Sequence, residues 1–127
     1  MGEGCVVCGL KKNISENKLK QLLSNIYSNI EYQKRFDWLG KQSLDFYLPE
    51  YNIAIEYQGK QHFESIEMFG GDEEFKKTIE RDKRKIKLCE ENGIKLYHFS
   101  FLNKNFFKNV TYHVFNNINN LIKEINK

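Results

Sequence analysis

The chain has no apolar run long enough to cross a bilayer and no secretory leader pattern, so we expect a soluble, cytoplasmic protein without membrane contact. It has no Gly-rich phosphate loop, which argues against a small nucleotide-processing enzyme. It has no internal repeat, so a solenoid or array is excluded. Proline and tryptophan each occur once, while lysine, asparagine and isoleucine are abundant, a bias typical of an AT-rich coding sequence. Three cysteines are too few for a disulfide framework. What remains is ordinary globular composition: 40% hydrophobic and 29% charged residues over 127 positions, enough for one domain with a core. A net charge of +3 permits nucleic-acid binding without demanding it.

Charge placed inside apolar strands is more informative. In Ser43 to Phe63, Leu44, Phe46 and Leu48 alternate with Asp45 and Tyr47. Pro49-Glu50-Tyr51-Asn52 then supplies turn chemistry, and Ile53, Ile55 and Tyr57 alternate with Ala54, Glu56 and Gln58. Period-two alternation predicts two strands joined by a tight turn. Each strand then carries one acid, Asp45 or Glu56. A buried carboxylate costs several kcal/mol unless it is paired, protonated or bound to a cation. Strands of one hairpin are neighbours, so both acids can reach one cation.

The rest of the chain frames this hairpin. Residues 1–12 are expected to be an irregular leader holding the Cys5-Val-Val-Cys8-Gly9 knuckle. Residues 13–127 then form the main domain. A helix begins near Asn13 or Ser15, with Leu19, Leu22, Leu23 and Ile26 on one face. Asn13-Ile-Ser-Glu16 fits a capping box, although Glu16 also lies toward the apolar face. A strand is expected over Ile30 to Phe36 and a turn over Asp37 to Gly40. Trp38 belongs to that turn, as a packing residue or a base-stacking one.

A second helix opens at Gly70-Gly71-Asp72, with Asp72 as N-cap, and closes at Gly93. Its buried stripe is Phe75, Ile79, Asp82, Ile86 and Cys89, so Asp82 stands where a hydrophobe is expected and Cys89 is a core thiol. Its polar faces carry Lys76, Lys77, Arg81 and Arg84, either a solvated surface or a track for a phosphate backbone. Ile94 to Phe99 reads as a strand, Phe101 to Phe107 as an aromatic loop. Val110, Val114, Ile118, Leu121, Ile122 and Ile125 read as a closing amphipathic helix. The expected order is α-β-β-β-α-β-α, an α/β fold with a mixed sheet flanked by helices, its last strand joining in parallel through the long helix.

An Asp in one strand followed by Glu-x-Gln in the next, here Asp45 and Glu56-Tyr57-Gln58, resembles the PD-(D/E)xK, restriction-endonuclease-like nuclease superfamily. The run Ile55-Glu56-Tyr57-Gln58-Gly59-Lys60-Gln61-His62-Phe63 is similar to the branch of very-short-patch repair and phage homing endonucleases. The likeness extends from about Glu16 to Phe101. It implies a Mg²⁺- or Mn²⁺-dependent DNA endonuclease of phage, viral or mobile-element type, acting inside a host cell. Asp45 and Glu56 would hold the metal, Glu16 an outer-shell water, and Gln58 would orient the attacking water. The superfamily usually has Lys at the Gln58 position. Gln cannot supply charge, so Lys60 or Lys85 is the substitute cation. His62 would act as general base or acid; alternatively it ends its strand and caps the loop. Asp82 would support His62 or Lys85, or simply form an internal salt bridge with Lys85 or Arg81. His98 and His113 are read as structural. Some resembling proteins carry a zinc ribbon before the core, so Cys5 and Cys8 are a candidate half-site for Zn²⁺ or simply free thiols. One centre of this size cuts one strand unless the protein forms a homodimer. The alternative is a catalytically inactive, nuclease-like domain that only binds nucleic acid.

Overall fold

In a computed structural model, the backbone is described at residues 3–59, 73–107, 110 and 112–127. Side chains are described at 15–59, 76–105, 107, 110 and 112–127. Helix α1 spans Glu3–Ile26, followed by strand β1 (Glu31–Arg35) and a short 3-10 turn (Asp37–Leu39). Strands β2 (Ser43–Leu48) and β3 (Ile53–Tyr57) come next, then helix α2 (Glu73–Glu91) and strand β4 (Lys95–Phe99). A second 3-10 turn (Lys104–Phe107), strand β5 (Val114–Phe115) and helix α3 (Ile118–Ile125) complete the order.

The architecture is α/β with a mixed five-stranded sheet in the order β1-β2-β3-β4-β5. Strands β1, β2 and β3 are antiparallel neighbours, and β3-β4 and β4-β5 are parallel. The predicted hairpin is present. Tyr51 N–H closes its turn on the Leu48 carbonyl at 3.1 Å, and Asn52 takes the left-handed φ of 54° that Asn tolerates.

Three expectations are corrected. The N-terminal segment is helical from Glu3, so residues 3–12 are not irregular and Asn13 to Glu16 lie inside α1 rather than at its cap. The closing helix is short. Asn117 caps it by accepting from the N–H groups of Asn119 (2.9 Å) and Asn120 (3.3 Å), and Val114-Phe115 upstream forms β5 instead. The β-branched and aromatic residues between Val110 and Phe115 favour extended backbone, and an Asn cap marks a sharper helix start than hydrophobic spacing does. The sheet thus gains a fifth strand. Finally, Leu44 does not share a face with Phe46 and Leu48: it packs with Leu39, Tyr47, Ala54, Cys89 and Ile94. The alternation of β2 therefore changes phase at Asp45.

The main core lies between the sheet and helices α1 and α3. It joins Leu19, Leu23 and Tyr27 to Phe46, Leu48, Ile53, Ile55 and Phe99, and to Leu121 and Ile125. Across the sheet, α2 covers the smaller cluster around Cys89, with Ile79 against Val114 beyond it. Helix α2 ends in a Schellman motif. Gly93 takes φ 76°, its N–H meets the Glu90 carbonyl at 3.1 Å, and Ile94 N–H meets the Cys89 carbonyl at 2.8 Å. That tight ending turns the chain directly into β4, so α2 lies close over β2 and β3.

Candidate active site

The β2-β3 ladder runs through Leu48↔Ile53, Tyr47↔Ala54 and Phe46↔Ile55. One step further in that register places Asp45 opposite Glu56, and there side chains replace the backbone rung. Asp45 N–H donates to Glu56 Oε2 at 2.7 Å, and Tyr57 N–H donates to Asp45 Oδ2 at 2.9 Å. Each carboxylate is thus held by the backbone of the other strand. The second oxygen of each faces outward from this clasp. Asp45 Oδ1 accepts a long 3.5 Å bond from Gln33 Nε2, and Glu56 Oε1 meets Lys85 Nζ at 2.6 Å. Lys85 also donates to the Ser43 carbonyl at 2.8 Å.

Burial dominates the electrostatics. Glu56 is 8% exposed. Desolvation first, and the Asp45 charge second, raise its pKa to about 7 against the pull of Lys85 and the bond from Asp45 N–H. Asp45 is raised chiefly by burial, opposed by the Tyr57 N–H, the Lys85 charge and Gln33. Glu16, half-buried on α1, is raised by burial and then by Asp45, which places its charge within reach of the same site. Two like charges and little solvent make this a place where a further cation is favoured.

Beside the pair lies a second polar cluster. His98 is the β4 neighbour of Glu56. Its ring stacks on Tyr112 at 4.3 Å, and the Tyr112 hydroxyl donates to Asp82 Oδ2. Burial, followed by Asp82, pushes the Tyr112 hydroxyl well above its ordinary pKa, so it stays a donor. Burial first, then the Glu56 charge, pushes the Cys89 thiol up to about 11.

The structure therefore brings Asp45, Glu56 and Lys85 together, with Glu16 near them. Gln58 is buried just past the end of β3, where its N–H bonds the Phe99 carbonyl at 2.8 Å. Lys60 and His62 lie outside the described residues, as do the side chains of Cys5 and Cys8. Asp82 meets Tyr112, a partner the sequence did not suggest. The basic residues of α2 divide between faces. By helical spacing Lys77, Arg81 and Arg84 follow the flank that carries Lys85, whereas Lys76 turns to the opposite, outer side. Arg84 reaches Gln42 at 3.2 Å, next to β2, and Arg81 bonds Thr78 at 3.5 Å. Trp38 stacks on Phe36 at 4.8 Å, a packing role. Sequence reading missed Gln33, Tyr112 and the Ser43 carbonyl. None carries a motif, and their place depends on strand register and on how α2 docks.

Among the described residues, no three His, Cys, Asp or Glu side chains are grouped closely enough to hold a metal alone. Two carboxylates, each with one oxygen bonded to a side chain rather than to backbone, do suit a hard ion that keeps much of its water, as Mg²⁺ does. They do not make a closed zinc site. Among the described residues, no helix is long and apolar enough to cross a membrane.

No protein-family model matches the chain, and no solved structure matches it significantly. A stretch of 55 residues, 42% of this chain, is 46% identical to "Uncharacterized protein 094L" of Frog virus 3 (isolate Goorha). The chain covers 36% of that relative's length.

Proposed function

We propose that the protein is a divalent-metal-dependent DNA endonuclease with a restriction-endonuclease-like core, in the manner of the PD-(D/E)xK nucleases. The observation that carries this reading is the convergence of Asp45, Glu56 and Lys85 where β2 and β3 part under α2. The missing lysine of the Glu-x-Gln triplet is answered from α2. Lys85 supplies the positive charge that Gln58 lacks, within 2.6 Å of Glu56. The similarity to a viral protein accords with a viral or mobile-element source.

Phosphodiester hydrolysis needs an oriented water, charge relief on the phosphate and protonation of the leaving oxygen. When bound, Mg²⁺ or Mn²⁺ supplies Lewis acidity and neutralises charge on the phosphate. Asp45 and Glu56 would hold it, through the carboxylate oxygens that backbone N–H groups do not already fix. Lys85, bonded to Glu56 Oε1 and the Ser43 carbonyl, would meet a phosphate oxygen or the attacking water. Glu16 is placed to accept from a water on the α1 side. Lys77, Arg81 and Arg84 extend positive charge from the site along α2, where a DNA backbone can lie.

The Gln58 substitution keeps one competing reading in play, an inactive domain that binds nucleic acid without metal. Incubation with supercoiled plasmid and Mg²⁺ or Mn²⁺ separates the two. Nicking that Asp45→Ala abolishes supports the enzyme. Salt-sensitive DNA binding, with no cleavage and no divalent-ion uptake, supports the alternative.

A further inference from the structure

Gln33 is the neighbour of Asp45 on the other side of β2. The β1-β2 register pairs Tyr32 with Phe46 and Lys34 with Leu44, which puts Gln33 directly opposite Asp45, yet that pair drops out of the ladder. Gln33 has φ 51°, the left-handed region, in the middle of a strand. A non-glycine residue there is strained, and such strain persists only where surrounding contacts hold it. The contacts are present. Ser43 Oγ donates to Gln33 Oε1 at 3.0 Å, which fixes the amide, and Gln33 Nε2 points to Asp45 Oδ1 at 3.5 Å. The left-handed backbone, the interrupted ladder and the phase change of β2 all fall at this one position.

We propose that Gln33 is a positioning residue for Asp45. Its left-handed backbone turns the amide toward Oδ1, the carboxylate oxygen that the β3 backbone leaves unclaimed, and Ser43 locks the amide with its NH₂ facing the acid. Gln33 thereby fixes the orientation of the Asp45 carboxylate and the direction of the lone pairs it offers to a cation. This rests on the metal-site reading above only for its consequence on metal affinity. The effect on Asp45 itself is independent of that reading.

The test compares Gln33→Gly, Gln33→Ala and Ser43→Ala with the unaltered protein by three measurements. Thermal melting reads the backbone: Gly accepts φ 51° and Ala does not, so Gln33→Gly should melt about 4 °C above Gln33→Ala. Crystal structures of the variants read the amide: in both Gln33 variants the Asp45 carboxylate should turn from its present orientation, and in Ser43→Ala it should turn less. Calorimetry with Mn²⁺ reads the consequence: loss of the amide should weaken binding about tenfold, as removal of a partner behind a ligand does. An Asp45 carboxylate in Gln33→Gly oriented as in the unaltered protein would overturn the proposal and leave the left-handed residue a local kink. If the unaltered protein takes up no Mn²⁺ but the Asp45 carboxylate still turns in both variants, the positioning role stands and the metal reading falls.

Discussion

The two faces of the sheet are built on opposite principles. Toward α1 and α3, Phe46, Leu48, Ile53, Ile55 and Phe99 form a dry layer with Leu19, Leu23, Leu121 and Ile125. Toward α2, the layer is apolar at the hairpin end, with Tyr47, Ala54, Cys89 and Ile94, and becomes polar at the other end, with Glu56, His98 and Lys85. The first face supplies stability through burial. The second gives up part of it to hold two carboxylates and a lysine out of water, and charges are kept so only where the fold elsewhere compensates. The candidate site thus lies at the polar end of the α2 face.

The comparison breaks most visibly on the dry face. Phe46→Ala should cost about 3–5 kcal/mol in chemical denaturation, because the side chain is 2% exposed in the centre of the larger cluster. On the α2 face the corresponding effect should appear in the reaction. Lys85→Met should slow plasmid cleavage about 10²–10³-fold, the usual loss when a charge-stabilising donor is removed from a site. The same variant should leave Mn²⁺ binding intact or tighter in calorimetry, since Lys85 occupies Glu56 Oε1.

Acid should act on the same face. Glu56 is raised to about 7, so protons compete with the ion below that pH, and Mn²⁺ affinity should fall by about tenfold per pH unit there and level off above it. Stability without metal runs the other way. A carboxyl whose folded pKa is raised favours the fold when protonated, so its contribution is full below about 4.5 and is lost as pH rises through about 7. Urea melts at a series of pH values without metal check that sign. The smallest effect belongs to Tyr27 on the dry face, whose hydroxyl is, among the described residues, a buried group without a hydrogen-bond partner. Tyr27→Phe should be neutral or stabilising by less than about 1 kcal/mol in the same melts.

How much of this was legible follows from the range of each interaction. The hairpin was readable because alternation and Pro-x-x-Asn turn chemistry are local. The end of α2 was readable because Gly93 is a local signal. The α3 boundary was misjudged because Ile, Val and Leu at helical spacing continue upstream into residues that pair with β4 instead. A single Asn cap at Asn117 outweighed that spacing. At the candidate site, Asp45 and Glu56 stood out as acids inside apolar strands, and Lys85 was one of two named substitutes for the absent lysine. Gln33 and Tyr112 were invisible for a physical reason. One depends on a left-handed φ and the other on a contact between residues thirty positions apart.

The most direct test of the central claim is supercoiled plasmid nicking in Mg²⁺ and in Mn²⁺, with the unaltered protein beside Asp45→Asn and Glu56→Gln. These replacements keep side-chain shape and an oxygen for the backbone N–H groups while each removes one charge. The expected result is nicking by the unaltered protein, none with EDTA, and none by either variant, with both variants melting as cooperatively as the parent. Nicking that survives in both variants, or a well-folded parent that binds DNA but neither takes up the ion nor cuts, would contradict it.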